Sequence, residues 1–196
     1  MKTHHKNSER LVTKVFQDVF DKYDLMNDLM SLGIHRLWKK NFINWLNPQE
    51  NTTLIDVASG TGDIAKLYLE KINHKGYVYC VDENKGMLDL SKKKLNKNSK
   101  VKWVHSNAEK LPFKKNYFDY YTISFGIRNI NNINTALKEA YRVLKPGGRF
   151  LCLEFSKVQN SQLNTFYKKY SKLIPHIGDV IVGEKKPYQY LIKSIE

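Results

Sequence analysis

Two rhythms of apolar residues alternate along the chain from Thr53 onward. Short β-branched and aromatic runs at Thr53 to Val57, Tyr77 to Val81, Val101 to His105, Phe118 to Ser124 and Phe150 to Phe155 read as strands. Between them lie segments with an apolar residue every three or four positions: Ile64 to about Leu69, about Lys85 to Leu95, and Ile133-Ala136-Leu137-Ala140-Val143-Leu144. Lys145-Pro146-Gly147-Gly148 reads as the stop of the last of these helices. Strands alternating with helices predict an α/β fold, a parallel sheet with helices on both faces and ligands at the carboxyl ends of the strands. Upstream, Val12, Val15, Phe16, Val19, Phe20 and Tyr23 form one helical stripe, and Ile34, Leu37, Trp38, Phe42 and Trp45 a second, ended by Pro48. The residues between Tyr23 and His35 have no clean period, as a ligand-covering lid would. A single domain is expected, with N-terminal helices and lid over 1–50, a ligand-binding core over 51–156 and a last part over 157–196.

The first strand runs into Ala58-Ser59-Gly60-Thr61-Gly62-Asp63 and then a helix. Gly60 and Gly62 permit a tight turn and close approach of a ligand to the main chain. Asp56 and Asp63 bracket that turn, and acids at a helix start disfavour pyrophosphate and suit a cationic ligand. S-adenosylmethionine, with an ammonium and a sulfonium, is such a ligand. Asp82 ends the second strand about 20 residues further on, where an acid accepts from a ribose diol; the other reading is a cap for the helix that begins near Asn84. After the third strand, Asn107 offers an amide side chain and Ala108 a backbone amide to an adenine edge, or the pair simply forms a turn. Ser124 to Asn129 and Glu154 to Ser156 follow the fourth and fifth strands.

The formal net charge of +14 raises the question of nucleic acid or an anionic membrane. The lysines are scattered as Lys39-Lys40, Lys92 to Lys94, Lys114-Lys115, Lys168-Lys169 and Lys185-Lys186, a pattern of solvated surface that argues against a nucleic-acid partner and leaves a weak membrane preference open. No apolar run approaches the ~20 residues that span a bilayer, and the polar stretch Met1 to Arg10 has no export-signal pattern, so a cytoplasmic protein is expected. Cys80 and Cys152, each inside an expected strand, read as buried inert thiols. No cluster of carboxylates and histidines suggests a metal.

Three longer motifs carry a family resemblance: Tyr23-Asp24-x-Met26-Asn27 with Ser31, His35 and Trp38; Thr122 to Asn129; and Arg142 to Gly148 running on to Glu154-Phe155-Ser156. The chain resembles the class I, Rossmann-like methyltransferases that use S-adenosylmethionine, and in particular the ubiquinone and menaquinone biosynthesis C-methyltransferases. The resemblance implies cofactor contacts at Thr61, Asp82, Asn107, Ala108 and Ser124, beside those the turn itself suggests at Asp56, Gly60 and Gly62. It implies catalytic roles for Arg128, Tyr23 and Asn129, with Arg128 holding an ionised ring oxygen or orienting a water that takes a proton. Tyr23 and Asn27 would close over the cofactor, and His35 reads as a satisfied structural histidine rather than a proton acceptor. The implied substrate is a prenylated benzoquinol or naphthoquinol met at the inner membrane face, and other quinone-biosynthesis enzymes are implied partners. The alternatives are an NAD-dependent oxidoreductase, or a methyltransferase for another small molecule or nucleic acid. Ser59 stands where the family has glycine, which puts only a local backbone angle in question. After Ser156 the family pattern requires a helix and two final strands. Here Ser161 to Ile174 and Tyr188 to Ile195 read as helical and only Val180-Ile181-Val182 as strand-like, so a C-terminally incomplete, self-associating protein is the expectation.

Overall fold

The computed structural model describes residues 33–156 together with Asn27, Asp28, Ser31 and Tyr170. The element order is α1 (Ile34–Leu46), β1 (Thr52–Val57), α2 (Asp63–Lys71), β2 (Gly76–Asp82), α3 (Lys85–Lys94), β3 (Val101–His105), β4 (Phe118–Ser124), a 3-10 turn (Ile127–Asn129), α4 (Ile133–Val143) and β5 (Leu144–Leu153). Among the described residues the sheet has five strands in the order β3-β2-β1-β4-β5, every neighbouring pair parallel. Strand order reverses between β1 and β4, and a crevice at their carboxyl ends is the ligand position of such sheets. Arg36–Glu154 form one compact unit; the described residues before and after it belong to a second. The N-terminal stripe, the lid with Tyr23 and the whole expectation about 157–196, Tyr170 apart, lie outside the described residues.

Alternation within the strands sends side chains to two cores. Leu54, Val78, Cys80 and Tyr120 face α1, α2 and α3, packing with Phe42, Ile43, Leu46, Ile64, Tyr68, Leu69 and Leu88. Ile55, Val57, Val81, Tyr121 and Ile123 face the other way, against Ala108, Leu111, Ala136, Ala140 and Val143. Both faces are mainly apolar in β1 and β4, as a central parallel strand requires, with Asp56 and Thr122 the buried polar pair among them.

Three expectations are corrected. First, α1 exists but presents a different face: His35, Lys39, Phe42, Ile43 and Leu46 are buried, whereas Ile34, Leu37, Trp38 and Trp45 of the expected stripe are exposed. The spacing 35, 39, 42, 43, 46 is equally helical, and a lysine in it hid the pattern. Second, Lys145 to Gly148 do not separate helix from strand. β5 begins at Leu144, opposite Phe118, and the register jumps so that Arg149 lies opposite Tyr120; the four residues form a bulge across Asp119. Gly147 takes φ +78°, and Lys145 Nζ reaches Asp119 Oδ1 at 2.7 Å. Third, Cys152 is exposed, while Cys80 is buried. Among the described residues β5 pairs only with β4, which leaves alternate β5 side chains uncovered.

The crossover from β3 to β4 is tied to α4 by one residue of the Arg142 to Gly148 motif. The Arg142 guanidinium donates to the carbonyls of Leu111 (3.0 Å) and Phe113 (2.6 Å) and to both oxygens of Glu139, whose Oε2 in turn accepts from the Leu111 amide. Arg142→Ala is expected to destabilise the protein by about 1–2 kcal/mol, since charge-assisted bonds to two carbonyls are lost from a partly exposed site. Arg142→Lys recovers little, because a single ammonium cannot reproduce the fork. Urea unfolding of the three proteins measures both.

Candidate functional site

Backbone hydrogen bonds stitch the strand ends together. Ser59 N–H donates to Val81 O (3.1 Å), Ser106 N–H to Asp82 O (3.2 Å) and Phe125 N–H to Leu153 O (2.7 Å). At β1 the chain turns through positive φ at Ala58 (52°), Gly60 (53°) and Gly62 (84°). The strained non-glycine angle thus falls at Ala58, and Ser59 needs no glycine. Phe125, just past β4, also has positive φ (57°), and a Cβ on the following Gly126 would lie 2.5 Å from Ala58 Cβ. The two central strands therefore end in close-packed, left-handed residues at the switch point, the kind of strain that accumulates at functional sites.

Asp82 links the first two turns. Its Oδ2 accepts from Gly60 N–H at 2.8 Å and its Oδ1 from Asn84 N–H at 2.9 Å. Burial raises its pKa, opposed by these two amides. Capping of α3 falls to Asn84, whose Oδ1 accepts from the Gly86 and Met87 amides. Asp82 is thus a bridge at the mouth of the crevice rather than a helix cap.

Asp56 and Asp63, the expected anchors for a cation, differ in kind. Asp56 lies on the sheet face covered by α1 to α3, between Cys80 and Thr122 in register. It is 1% exposed; Thr122 Oγ1 donates to its Oδ1 at 2.8 Å, and its Oδ2 has no hydrogen-bond partner. Burial pushes its pKa up to about 7, with Thr122 and then Lys39 pulling against it. Asp63, the first residue of α2, is held by two lysines: Lys39 Nζ reaches Oδ2 and Lys94 Nζ reaches Oδ1, each at 2.7 Å. Burial works against its charge, but the two ammoniums win and hold the carboxyl below the usual carboxylate range. Its charge is already met within the protein, which corrects the expectation that it faces a ligand. Lys39 likewise leaves the set of solvated surface lysines, since it is 8% exposed, whereas Lys94 remains exposed and also donates to Thr61 Oγ1 at 3.3 Å.

On the β3 side Asn107 has both side-chain groups engaged. Its Oδ1 accepts from Glu109 N–H at 2.7 Å and its Nδ2 donates to Glu83 Oε1 at 3.2 Å, so it shapes the turn that presents the amide of Ala108. At β4 the Ser124 hydroxyl is buried without a hydrogen-bond partner. Arg128 and Asn129 lie in the 3-10 turn that follows. Arg128 Nη1 forms a short ion pair with Glu154 Oε1, and its backbone N–H approaches Glu154 Oε2 at 3.4 Å. In the second unit, His35 is buried with Nδ1 2.8 Å from Ser31 Oγ and 3.7 Å from Asp28, the setting of a structural histidine.

Gly60, Thr61, Gly62, Asp82, Ala108, Ser124 and Arg128 are thus carried on turns at one end of the sheet. Sequence reasoning missed Lys39, Lys94, Glu83 and the pairing of Glu154 with Arg128. Only Lys39 left a signal, its helical spacing from Phe42, Ile43 and Leu46.

Residues 2–196 match the model of the ubiE/COQ5 methyltransferase family. The chain is 52% identical over 201 residues to the ubiquinone/menaquinone biosynthesis C-methyltransferase UbiE of Rickettsia prowazekii (strain Madrid E), over 99% of this chain and 81% of that protein. It is 53% identical over 203 residues to the protein of the same name from Rickettsia bellii (strain RML369-C), over 100% and 81%. Among solved structures, a SAM-dependent methyltransferase from Aquifex aeolicus shares the fold with a TM-score of 0.60 at 22% identity, over 70% of this chain and 75% of that one.

Asp56 makes stability depend on pH. Its folded-state pKa of about 7 lies above the ~3.9 of an unfolded aspartate, so the folded protein binds the proton more tightly. Its contribution is therefore full below about pH 4 and is lost as pH rises to 7, by an amount on the order of a few kcal/mol. Asp56→Asn is expected to lack this decline. Urea unfolding from pH 4.5 to 8 measures it, and parallel profiles for the two proteins would contradict it.

Proposed function

The chain belongs to the ubiE/COQ5 methyltransferase family, and on that premise we propose that it transfers a methyl group from S-adenosyl-L-methionine to a ring carbon of a prenylated benzoquinol or naphthoquinol. The observation that carries the cofactor reading is the set of unspent polar groups at the switch point: Asp56 Oδ2 and Ser124 Oγ, both buried and without hydrogen-bond partners. Such atoms cost stability unless something meets them. An amino-acid ammonium suits Asp56, and the ribose hydroxyls suit Asp82, whose oxygens each retain a lone pair beyond the one given to a backbone amide. The Ala108 amide suits an adenine edge, and Gly60, Thr61 and Gly62 let the ligand approach the turn. When bound, the cofactor supplies an electrophilic methyl group on a sulfonium.

The residues of this chain then align and polarise the acceptor. Arg128, fixed by Glu154, presents a preset cationic donor to the ring oxygen whose ionisation makes the neighbouring carbon nucleophilic, or holds the water that removes its proton. Asn129 follows it in the 3-10 turn, and the role proposed for Tyr23, which lies outside the described residues, rests on the family resemblance alone. An oxidoreductase binding NAD is the competing reading. Asp56 argues against it, since a buried acid at the end of β1 repels a pyrophosphate, whereas Asp82 suits the ribose of either cofactor.

The site meets its substrate at a membrane surface. No helix among the described residues is long and apolar enough to cross a membrane. On α1, Leu37 (57% exposed), Trp38 (37%) and Trp45 (75%) stand outward, with exposed Arg36 and Lys40 among them. Tryptophan with flanking cations suits a headgroup layer that carries negative charge. Co-sedimentation with anionic vesicles is expected to fall as salt rises; equal partition onto neutral and anionic vesicles would contradict the electrostatic part.

Arg128→Ala is expected to lower single-turnover methyl transfer by on the order of 100- to 1000-fold, with S-adenosylhomocysteine affinity changed by less than about 3-fold. Glu154→Gln lowers the rate by less, because the guanidinium remains but is no longer held by charge. Near-normal transfer by Arg128→Ala would reduce Arg128 to a structural residue.

A further inference from the structure

We infer that Lys39 is the cation that receives the α-carboxylate of the cofactor, held in place for it by Asp63; this rests on the cofactor reading above. The order of the strands fixes the direction of the ligand. Adenine at Ala108 lies beyond β3 and ribose at Asp82 beyond β2, so the amino-acid end runs on toward β1 and β4. There α1 crosses both turns. Trp38 packs on Phe125, with ring centroids 6.4 Å apart, and Lys39, the next residue, reaches Asp63 at the start of α2.

Asp63 does not use all the donors of Lys39. One carboxylate, Asp63, faces two ammoniums, those of Lys39 and Lys94, and Lys94 is drawn toward Thr61 as well. An ammonium carries three N–H donors, and the hydrogen bond that Lys39 makes is the one to Asp63 Oδ2, on a side chain only 10% exposed. A buried lysine with donors to spare beside a ligand turn is costly unless an anion completes its shell. The α-carboxylate is the one anionic group that this cofactor carries. Asp56, in electrostatic contact with Lys39, lies on the same sheet face with its unmet Oδ2, so the two ends of a zwitterion find opposite charges side by side.

Calorimetric titration with S-adenosylhomocysteine and with its decarboxylated analogue, which keeps the nucleoside, sulfur and amine, tests this without any turnover. The wild-type protein is expected to prefer the carboxylated ligand by about 10- to 100-fold, the range of a charge-assisted hydrogen bond. Lys39→Gln is expected to abolish that preference by weakening S-adenosylhomocysteine alone, leaving the analogue within about 3-fold. Lys94 still neutralises Asp63 in that variant, and thermal unfolding checks that it is folded. Lys39→Arg is expected to keep most of the preference. A merely structural lysine would weaken both ligands equally, and that result overturns the inference, as does a wild-type protein without preference. Should the wild-type protein bind neither ligand, the cofactor reading fails along with the inference.

Discussion

Everything at the mouth of this sheet depends on the carboxylate of Asp82. By accepting from Gly60 N–H on one side and Asn84 N–H on the other, it makes the turn after β1 and the turn after β2 a single structure. Two amides on a buried carboxylate offset part of its desolvation cost, though not all, since its pKa remains raised. The remainder is carried by the packing of the two cores, and it keeps an acceptor where water is scarce and a ribose diol meets little competition. The glycines matter for the same reason. Gly60 must bring its N–H to Asp82, and it does so at a positive φ that few other residues adopt.

Around that bridge the protein balances charge by position rather than by number. Asp63 is neutralised from two directions, by a helix before the sheet and by the helix after β2, whereas Asp56 lies buried with one oxygen satisfied and one not. Arg128 is paired with Glu154 instead of facing the crevice as a lone cation. Asp63 and Arg128 are thus oriented by opposite charges before any ligand arrives, which is how a site avoids reorganising at the moment of reaction.

The parallel sheet, the turn at Gly60 to Gly62 and the placing of Asp82, Ala108, Ser124 and Arg128 at strand ends were legible because strand-and-helix alternation leaves a handful of topologies, and the doubly wound ones put ligands at the carboxyl ends of the strands. The face of α1 was not, since two stripes fit its period and the aromatic one looked more like a core. A buried lysine is recognised only when its carboxylate is known, and Asp63 is 24 residues away from Lys39 in sequence. The same holds for Arg128 and Glu154, 26 residues apart. The bulge at Lys145 to Gly148 was misread because proline and glycine signal a break in a helix and a bulge in a strand with the same letters. The partners of Asn107, Glu109 N–H on its own turn and Glu83 beyond β2, leave no trace in spacing.

The central claim is that one ligand spans the turns after β3, β2, β1 and β4. Hydrogen–deuterium exchange with and without saturating S-adenosylhomocysteine tests it most directly within the sheet. Protection is predicted to concentrate at residues 58–63, 82–86, 106–109 and 124–129, the four turns at the carboxyl ends of the strands, with the amino ends unchanged. Protection centred on the opposite end of the sheet, or none in these turns at saturation, would contradict the account.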